Sequence, residues 1–165
     1  MRDIIDALTR FLESTAFSAW FLDNGAWTWP LAESLHFIGL TMLIGSIGLI
    51  DLRVLGIGKG IRIADLHRLV RFTIAGFVLN VVTGSMFVTA MPDQYFLNRA
   101  FQFKVVFLTL AGLNVLVFYG SQFRRLKQLG PHEEAPLPAR LMAGLSLACW
   151  IGVITAGRLL TFFRP

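Results

Sequence analysis

Two ionisable side chains lie one helical turn apart in a long apolar stretch of the sequence. Glu33 and His36 interrupt the run 30–50, PLAESLHFIGLTMLIGSIGLI. A charged side chain at the centre of a membrane-spanning helix costs about 2.5–3.5 kcal/mol, so we expect both groups to be buried against partners. Histidine can act as an axial ligand to iron, and a carboxylate beside it can orient the ring or carry a proton.

Groups on three other apolar runs are predicted to lie at a similar depth. Lys104 is three residues into the third run, Arg158 is five residues from the end of the fourth, and Met86 is four residues before the end of the second. His36 is about 9 Å deep at about 1.5 Å per residue. We therefore expect the four helices to bring these side chains together in the outer third of a bundle.

This set of side chains suits a b-type haem. Its iron takes histidine, with methionine or another basic group as a second ligand, and its propionates favour Arg or Lys. We predict His36 as the metal ligand, Met86 or Lys104 at or near the other iron face, and Arg158 on a propionate. Glu33 is the predicted catalytic group. A bis-histidine site would need a second histidine at the depth of His36, and the sequence has none there.

Two other interpretations of the same residues stay open. His36 and Glu33 can be a hydrogen-bonded pair that serves packing, with Lys104 and Arg158 extending to the membrane surface. Alternatively, Glu33, Lys104 and Arg158 can form the charged pathway of a small transporter or channel, which with four spans requires a homo-oligomer.

The composition predicts an integral membrane protein. Of the 165 residues, 55% are hydrophobic and 15% are charged, and the mean hydropathy is +0.65. Soluble domains have about 25% charged residues. The net charge of +5 is therefore attributed to membrane topology and not to nucleic-acid binding. The single cysteine, Cys149, excludes an internal disulfide and a cysteine metal cluster.

Four apolar runs predict an all-α, integral membrane four-helix bundle over residues 25–165. About 20 residues are needed to cross a hydrocarbon core of about 30 Å. The predicted spans are about 30–50, 72–90, 101–118 and 141–163.

Small or polar residues spaced by four predict the packing faces of the second and fourth spans. We also expect Asn80 and Asn114 to pair, because both lie near the midplane. The two stripes are Gly76, Asn80 and Gly84, and Gly144, Ala148, Gly152 and Ala156.

Residues 1–24 predict an amphipathic helix that lies in the membrane interface, because apolar residues recur at helical spacing between charged ones. The Lys and Arg residues place both termini outside, in the periplasm if the membrane is a bacterial inner membrane. The loops after spans one and three carry nine (Arg53, Lys59, Arg62, Arg68, Arg71, Arg124, Arg125, Lys127, Arg140), and the opposite side carries four (Arg2, Arg10, Arg99, Arg164).

Three features of the basic loops are assigned structural roles. Asp51 and Arg53, at the inner end of span one, are expected to form an interfacial ion pair. His67 and His132 are expected to face solvent in their loops.

The chain resembles an uncharacterised family of bacterial four-span membrane proteins. That family has Glu–x–x–His early in span one and Asp–Leu–Arg near its end, here Glu33, His36 and 51–53. The chain is more distantly similar to the bacterial membrane protoporphyrinogen oxidase family, through His36, the Leu–Arg pair at 52–53 and Lys104. This second resemblance implies a b haem bound near that histidine and that lysine.

We therefore predict a membrane b-type haem protein with an electron-transfer role, which would be an oxidoreductase if it is an enzyme. The expected partners are the lipid bilayer and a quinone or other membrane subunits, in a homo-oligomer or a larger complex. The alternatives are an accessory subunit without a cofactor and a small oligomeric transporter or channel.

Overall fold

The computed structural model describes residues 2–163, which form α-helices joined by turns and contain no β-strand. Arg164, which entered the topology prediction, lies outside the described residues. The 3₁₀ turn His67–Leu69 joins α4 to α5. The helices are α1 (Arg2–Glu13), α2 (Ala16–Asp23), α3 (Gly25–Leu55), α4 (Ile63–Leu66), α5 (Val70–Ala90), α6 (Pro92–Phe96), α7 (Arg99–Ser121), α8 (Phe123–Leu126) and α9 (Leu137–Leu159).

Four helices are long and apolar enough to cross a membrane, namely α3, α5 with the turn before it, α7 and α9. The chain is thus a multi-pass membrane protein, and the predicted all-α four-helix fold is confirmed. At 31 residues, α3 is longer than its predicted span. It ends at Gly56, whose φ of 103° is left-handed, and the Ile57 amide donates to the Leu52 carbonyl at 2.9 Å. This is a Schellman-type helix end.

The spanning helices pack in the order α5, α3, α9, α7. The largest contacts join α3 to α5 and α7 to α9, and α3 also packs on α9. Within the described residues, α5 and α7 have no extensive contact with each other. The predicted Asn80–Asn114 pair is wrong for this reason. Asn80 Nδ2 donates to the Gly76 carbonyl of its own helix at 2.8 Å, and Asn114 Nδ2 donates to the Met142 carbonyl at 3.0 Å.

Glycines allow the closest helix contacts. A Cβ on Gly76 would lie 2.5 Å from the Gly39 carbonyl oxygen, so α3 and α5 cross almost backbone to backbone there. On α9, a Cβ on Gly152 would lie 2.8 Å from the Phe107 ring. Ala156, in the same predicted stripe, is buried, whereas Gly144 has open space beside its Cα and Ala148 is exposed.

The amphipathic N-terminal segment is helical, but it forms two helices where one was predicted. Thr15 separates them, because its Oγ1 accepts a hydrogen bond from the Ser18 amide at 3.2 Å and so caps α2. In α1, Thr9 is buried, whereas Ile4 and Phe11 are 73% and 65% exposed. An outward apolar face of this kind suits the membrane interface.

Arg53 joins the two basic loops. Its side chain is only 2% exposed, and its guanidinium donates to the Ile61 carbonyl at 2.6 Å and to the Glu133 carbonyl at 3.3 Å. The expected ion pair with Asp51 is therefore wrong. Residues two apart on a helix do not face each other, so the two side chains diverge.

Further contacts hold the same loops together. Lys59 forms an ion pair with Glu134 at 2.5 Å, and the His132 amide donates to the Lys59 carbonyl at 2.7 Å. The expectation that His67 faces solvent is only partly met. This histidine is half-buried, and its ring packs on Phe123 with 4.5 Å between centroids.

Candidate functional site

We call the end of the bundle that carries the N- and C-terminal segments the terminal end, and the end that carries α4 and α8 the basic end. At the terminal end, His36 on α3 points toward α5, where its Nδ1 lies 2.7 Å from the hydroxyl of buried Thr83. The imidazole also packs on the Phe87 ring, with 5.8 Å between centroids. His36 is thus held between two spanning helices.

The Thr83 hydroxyl determines which nitrogen of His36 carries the proton. Its Oγ1 lies 2.7 Å from the Leu79 carbonyl, which can only accept, so the single hydroxyl proton is donated there. The hydroxyl then accepts from Nδ1–H of His36. The proton on Nδ1 leaves a lone pair on Nε2, which is the form of histidine that binds a metal.

Lys104 is the predicted site residue that the structure brings to His36. It is half-buried on α7 and lies within electrostatic range of the imidazole. Gly157 on α9 provides space for it, since a Cβ there would be 3.8 Å from the ammonium nitrogen. In the described part of the chain, no carboxylate forms an ion pair with Lys104. The ammonium is therefore available to an anionic group of a ligand.

Glu33 lies near this pair but turns away from it. Its side chain is exposed and accepts a hydrogen bond from Trp29 Nε1 at 3.0 Å. Tyr95 on α6 is its other neighbour, and burial together with the Glu33 carboxylate raises the pKa of Tyr95 to about 12. The described partners of Glu33 are therefore Trp29 and Tyr95, and not the imidazole of His36.

The contacts of Arg158 and Met86 are with other groups. Arg158 is exposed, and its guanidinium lies over Phe162 of the same C-terminal segment, 5.8 Å from the ring centroid. Met86 packs against an apolar cluster that includes Phe21 and Ala32. Of the five predicted residues, His36 and Lys104 lie within electrostatic range of each other. The described contacts of the other three are with different groups: Trp29 for Glu33, Phe162 for Arg158 and an apolar cluster for Met86.

A second group of buried polar residues, at the basic end, was not predicted as a site. Asp51 is 6% exposed and borders a cavity of about 240 Å³. Ser146 on α9 and Tyr119 on α7 are its polar neighbours. No described residue donates a hydrogen bond to Asp51 Oδ2. The signal in the sequence was an aspartate ending the first apolar run, with polar residues at matching depth on the other spans.

Comparisons with known proteins assign the chain to a family. Neither a curated protein nor a solved structure shows significant similarity to it. The model of a family of unknown function, DUF6644, matches residues 20–163, which include both polar groups and exclude α1. The prediction of an uncharacterised family is therefore confirmed, and the chain belongs to the DUF6644 family.

Proposed function

We propose that this protein binds one b-type haem at the terminal end, where His36 Nε2 would hold the iron. The observation that carries the proposal is the Thr83 hydroxyl, which receives Nδ1–H and leaves the Nε2 lone pair free. Histidines that bind metals generally donate their other ring N–H to a fixed acceptor in this manner.

The residues around His36 fit a haem in charge as well as in ligand type. The Lys104 ammonium has no described carboxylate partner, and a haem propionate would supply one. Phe87 covers one side of the imidazole. Because Met86 is taken up by apolar packing, we propose His36 as the single protein ligand to the iron.

When bound, the haem would supply one-electron redox chemistry. The chain's own residues would bind and orient it: His36 holds the iron, Thr83 fixes the imidazole, and Lys104 neutralises an acidic side group. The similarity to the bacterial membrane protoporphyrinogen oxidase family rests partly on His36 and Lys104, the two residues that lie together here. We propose a redox role in the bacterial inner membrane, with both termini in the periplasm.

The test is an absorption spectrum of protein purified from haem-replete cells. We expect a Soret band that is lost in His36→Ala and retained in His67→Ala. His67 is a matched control because it is also a half-buried histidine with an aromatic neighbour, at the opposite end of the bundle. A colourless wild-type preparation, or equal haem content in both variants, would overturn the proposal.

A further inference from the structure

The cavity at the basic end is bordered by all four spanning helices. Its volume is about 240 Å³, whereas one water molecule needs a cavity of roughly 10–15 Å³. Most of its wall is apolar, with Ile47, Val115 and Phe118 among the lining residues. The cavity is therefore too large for a bare ion and suits an organic group.

Asp51 supplies a hydrogen-bond acceptor at the wall of this cavity. Ser146 and Tyr119 lie beside the carboxyl group, but Oδ2 has no donor among the described residues. A buried carboxyl oxygen without a hydrogen bond is costly, and ionisable groups within spans are commonly functional. A ligand in the cavity that carries a hydroxyl group would satisfy this oxygen.

The cavity reaches the outward face of the bundle between α5 and α7. It lies where α5 and α7 both border it without packing extensively on each other. Ile74 on α5 lines the cavity and is also 59% exposed, so the same side chain contacts both the cavity and the lipid-facing surface. A ligand dissolved in the membrane could therefore enter between α5 and α7.

The surrounding charges favour a neutral ligand. The helix ends and loops at this end carry many arginines, among them Arg53, Arg68, Arg71 and Arg124. They would repel an organic cation, although a carboxylate alone would attract one. The rings of Phe118 and Tyr119 on the wall suit a flat aromatic body.

From these observations we infer that the cavity binds the head group of a lipid-soluble hydroquinone, with Asp51 accepting a hydrogen bond from a ring hydroxyl. The inference concerns binding alone and goes beyond the proposed haem site. His36 and Asp51 are fifteen residues apart on α3, about 22 Å along the helix. The two sites are therefore separate and can be tested separately.

The test compares a donor with a non-donor of the same shape. Wild-type protein in lipid nanodiscs is titrated by calorimetry with decylubiquinol, kept reduced under anaerobic conditions, and with decylubiquinone. One additional hydrogen bond contributes enough for several-fold to roughly tenfold tighter binding of the quinol. Asp51→Asn should lose most of this preference, and Asp93→Asn, an exposed aspartate at the terminal end, should keep it.

A second variant tests the location of the site without touching the carboxylate. Ile74→Trp should weaken binding of both probes at least severalfold, because the larger side chain has lipid-facing space but narrows the cavity. The Ile74→Trp variant still tests the location of the site if Asp51→Asn does not fold. Equal affinity of wild type for the two probes, an unchanged preference in folded Asp51→Asn, or unchanged binding in Ile74→Trp would overturn the inference. His36→Ala should leave the quinol preference intact, which separates this result from that of the haem proposal.

Discussion

The terminal and basic ends each bury an ionisable side chain of α3, but the two side chains are satisfied in different ways. His36 has a fixed partner, Thr83, that determines its tautomer, whereas Asp51 Oδ2 has no donor within residues 2–163 and borders a cavity. A fixed partner orients a group for a directional bond such as metal ligation. A buried acceptor that lacks a donor and borders a cavity suits a ligand that can donate a hydrogen bond to it.

A third buried group, Arg53, shows what a purely structural ionisable residue looks like in this molecule. Its guanidinium donates to backbone carbonyls of two loops. Its Nη1 has no hydrogen-bond acceptor among the described residues, but unlike Asp51 the residue does not line the cavity. The comparison of His36, Asp51 and Arg53 thus separates a ligand-binding arrangement from a structural one, and the following predictions test that separation.

The largest effect is expected from Arg53→Ala. Hydrogen bonds from a charged donor contribute about 1.5–3 kcal/mol each, so losing the bonds to Ile61 and Glu133 should lower the free energy of unfolding by about 3–5 kcal/mol. Unfolding in mixed micelles measures this change. Arg158→Ala, which removes an exposed arginine, should change stability by less than about 0.5 kcal/mol. Similar losses in the two variants would contradict the assignment of Arg53 as structural.

Gly76→Ala should cause the next largest loss of stability. The substitution affects the contact of α3 with α5, which also supports the His36–Thr83 pair. A Cβ at this position would lie 2.5 Å from the Gly39 carbonyl oxygen, and such overpacking costs about 1–3 kcal/mol. Gly144→Ala is the matched control, since a Cβ there meets nothing within 4 Å. The measurement is again unfolding in mixed micelles. If both variants are equally stable, α3 and α5 do not approach as described.

Thr83→Val removes the hydrogen bond that orients the imidazole but keeps His36, the proposed iron ligand. The valine keeps the shape but cannot accept Nδ1–H, and loss of such a supporting bond lowers metal affinity by about 10–100-fold. Haem affinity, measured by titration of the apoprotein, should fall in that range. Thr73→Val removes a threonine hydroxyl at the basic end, which pairs with Ser46, and should leave haem affinity unchanged. Equal effects of the two would argue against a specific role of Thr83.

The smallest effect is expected from a change of pH on the ion pair between Lys59 and Glu134, which joins the two basic loops. The hydrogen bond from Lys59, its charge and that of Arg140 hold the pKa of Glu134 below its usual value. Because the folded pKa is the lower one, the contribution of Glu134 to stability is complete above the unfolded pKa. It is lost as the pH falls through the folded pKa.

The protection factors of the loop amides, which are exchange rates corrected for the intrinsic rate at each pH, should therefore fall slightly on acidification through the carboxylate range. Glu134→Gln should remove that part of the pH dependence. Glu13→Gln, at an exposed glutamate in the N-terminal segment, should not. An identical pH response in wild type and Glu134→Gln would show that this ion pair does not hold the loops.

The sequence was sufficient for the fold, but not for the direction in which each side chain leaves its helix. Apolar runs locate the spans, and the rise per residue predicts one depth for His36 and Lys104. Arg158 and Met86 were assigned to the same depth, yet their side chains face an exposed ring and an apolar cluster. Each residue adds about 100° of rotation, so the face it presents depends on which helices are neighbours.

Neighbour relations also explain why the basic end was misjudged. An apolar pattern does not show that α3 lies between α5 and α9 while α5 and α7 remain apart. That order prevents the expected Asn80–Asn114 pair and leaves the cavity beside Asp51. Asp51 was assigned to an ion pair with Arg53 because the two are close in sequence, although their side chains leave the helix in different directions.

The central claim is that His36 offers a free Nε2 to a haem iron, and the visible absorption spectrum of the purified protein tests it most directly. The account predicts a Soret band in wild type and in His67→Ala, and none in folded His36→Ala. A wild-type protein from haem-replete cells without that band, or a band that persists in His36→Ala, would contradict the account.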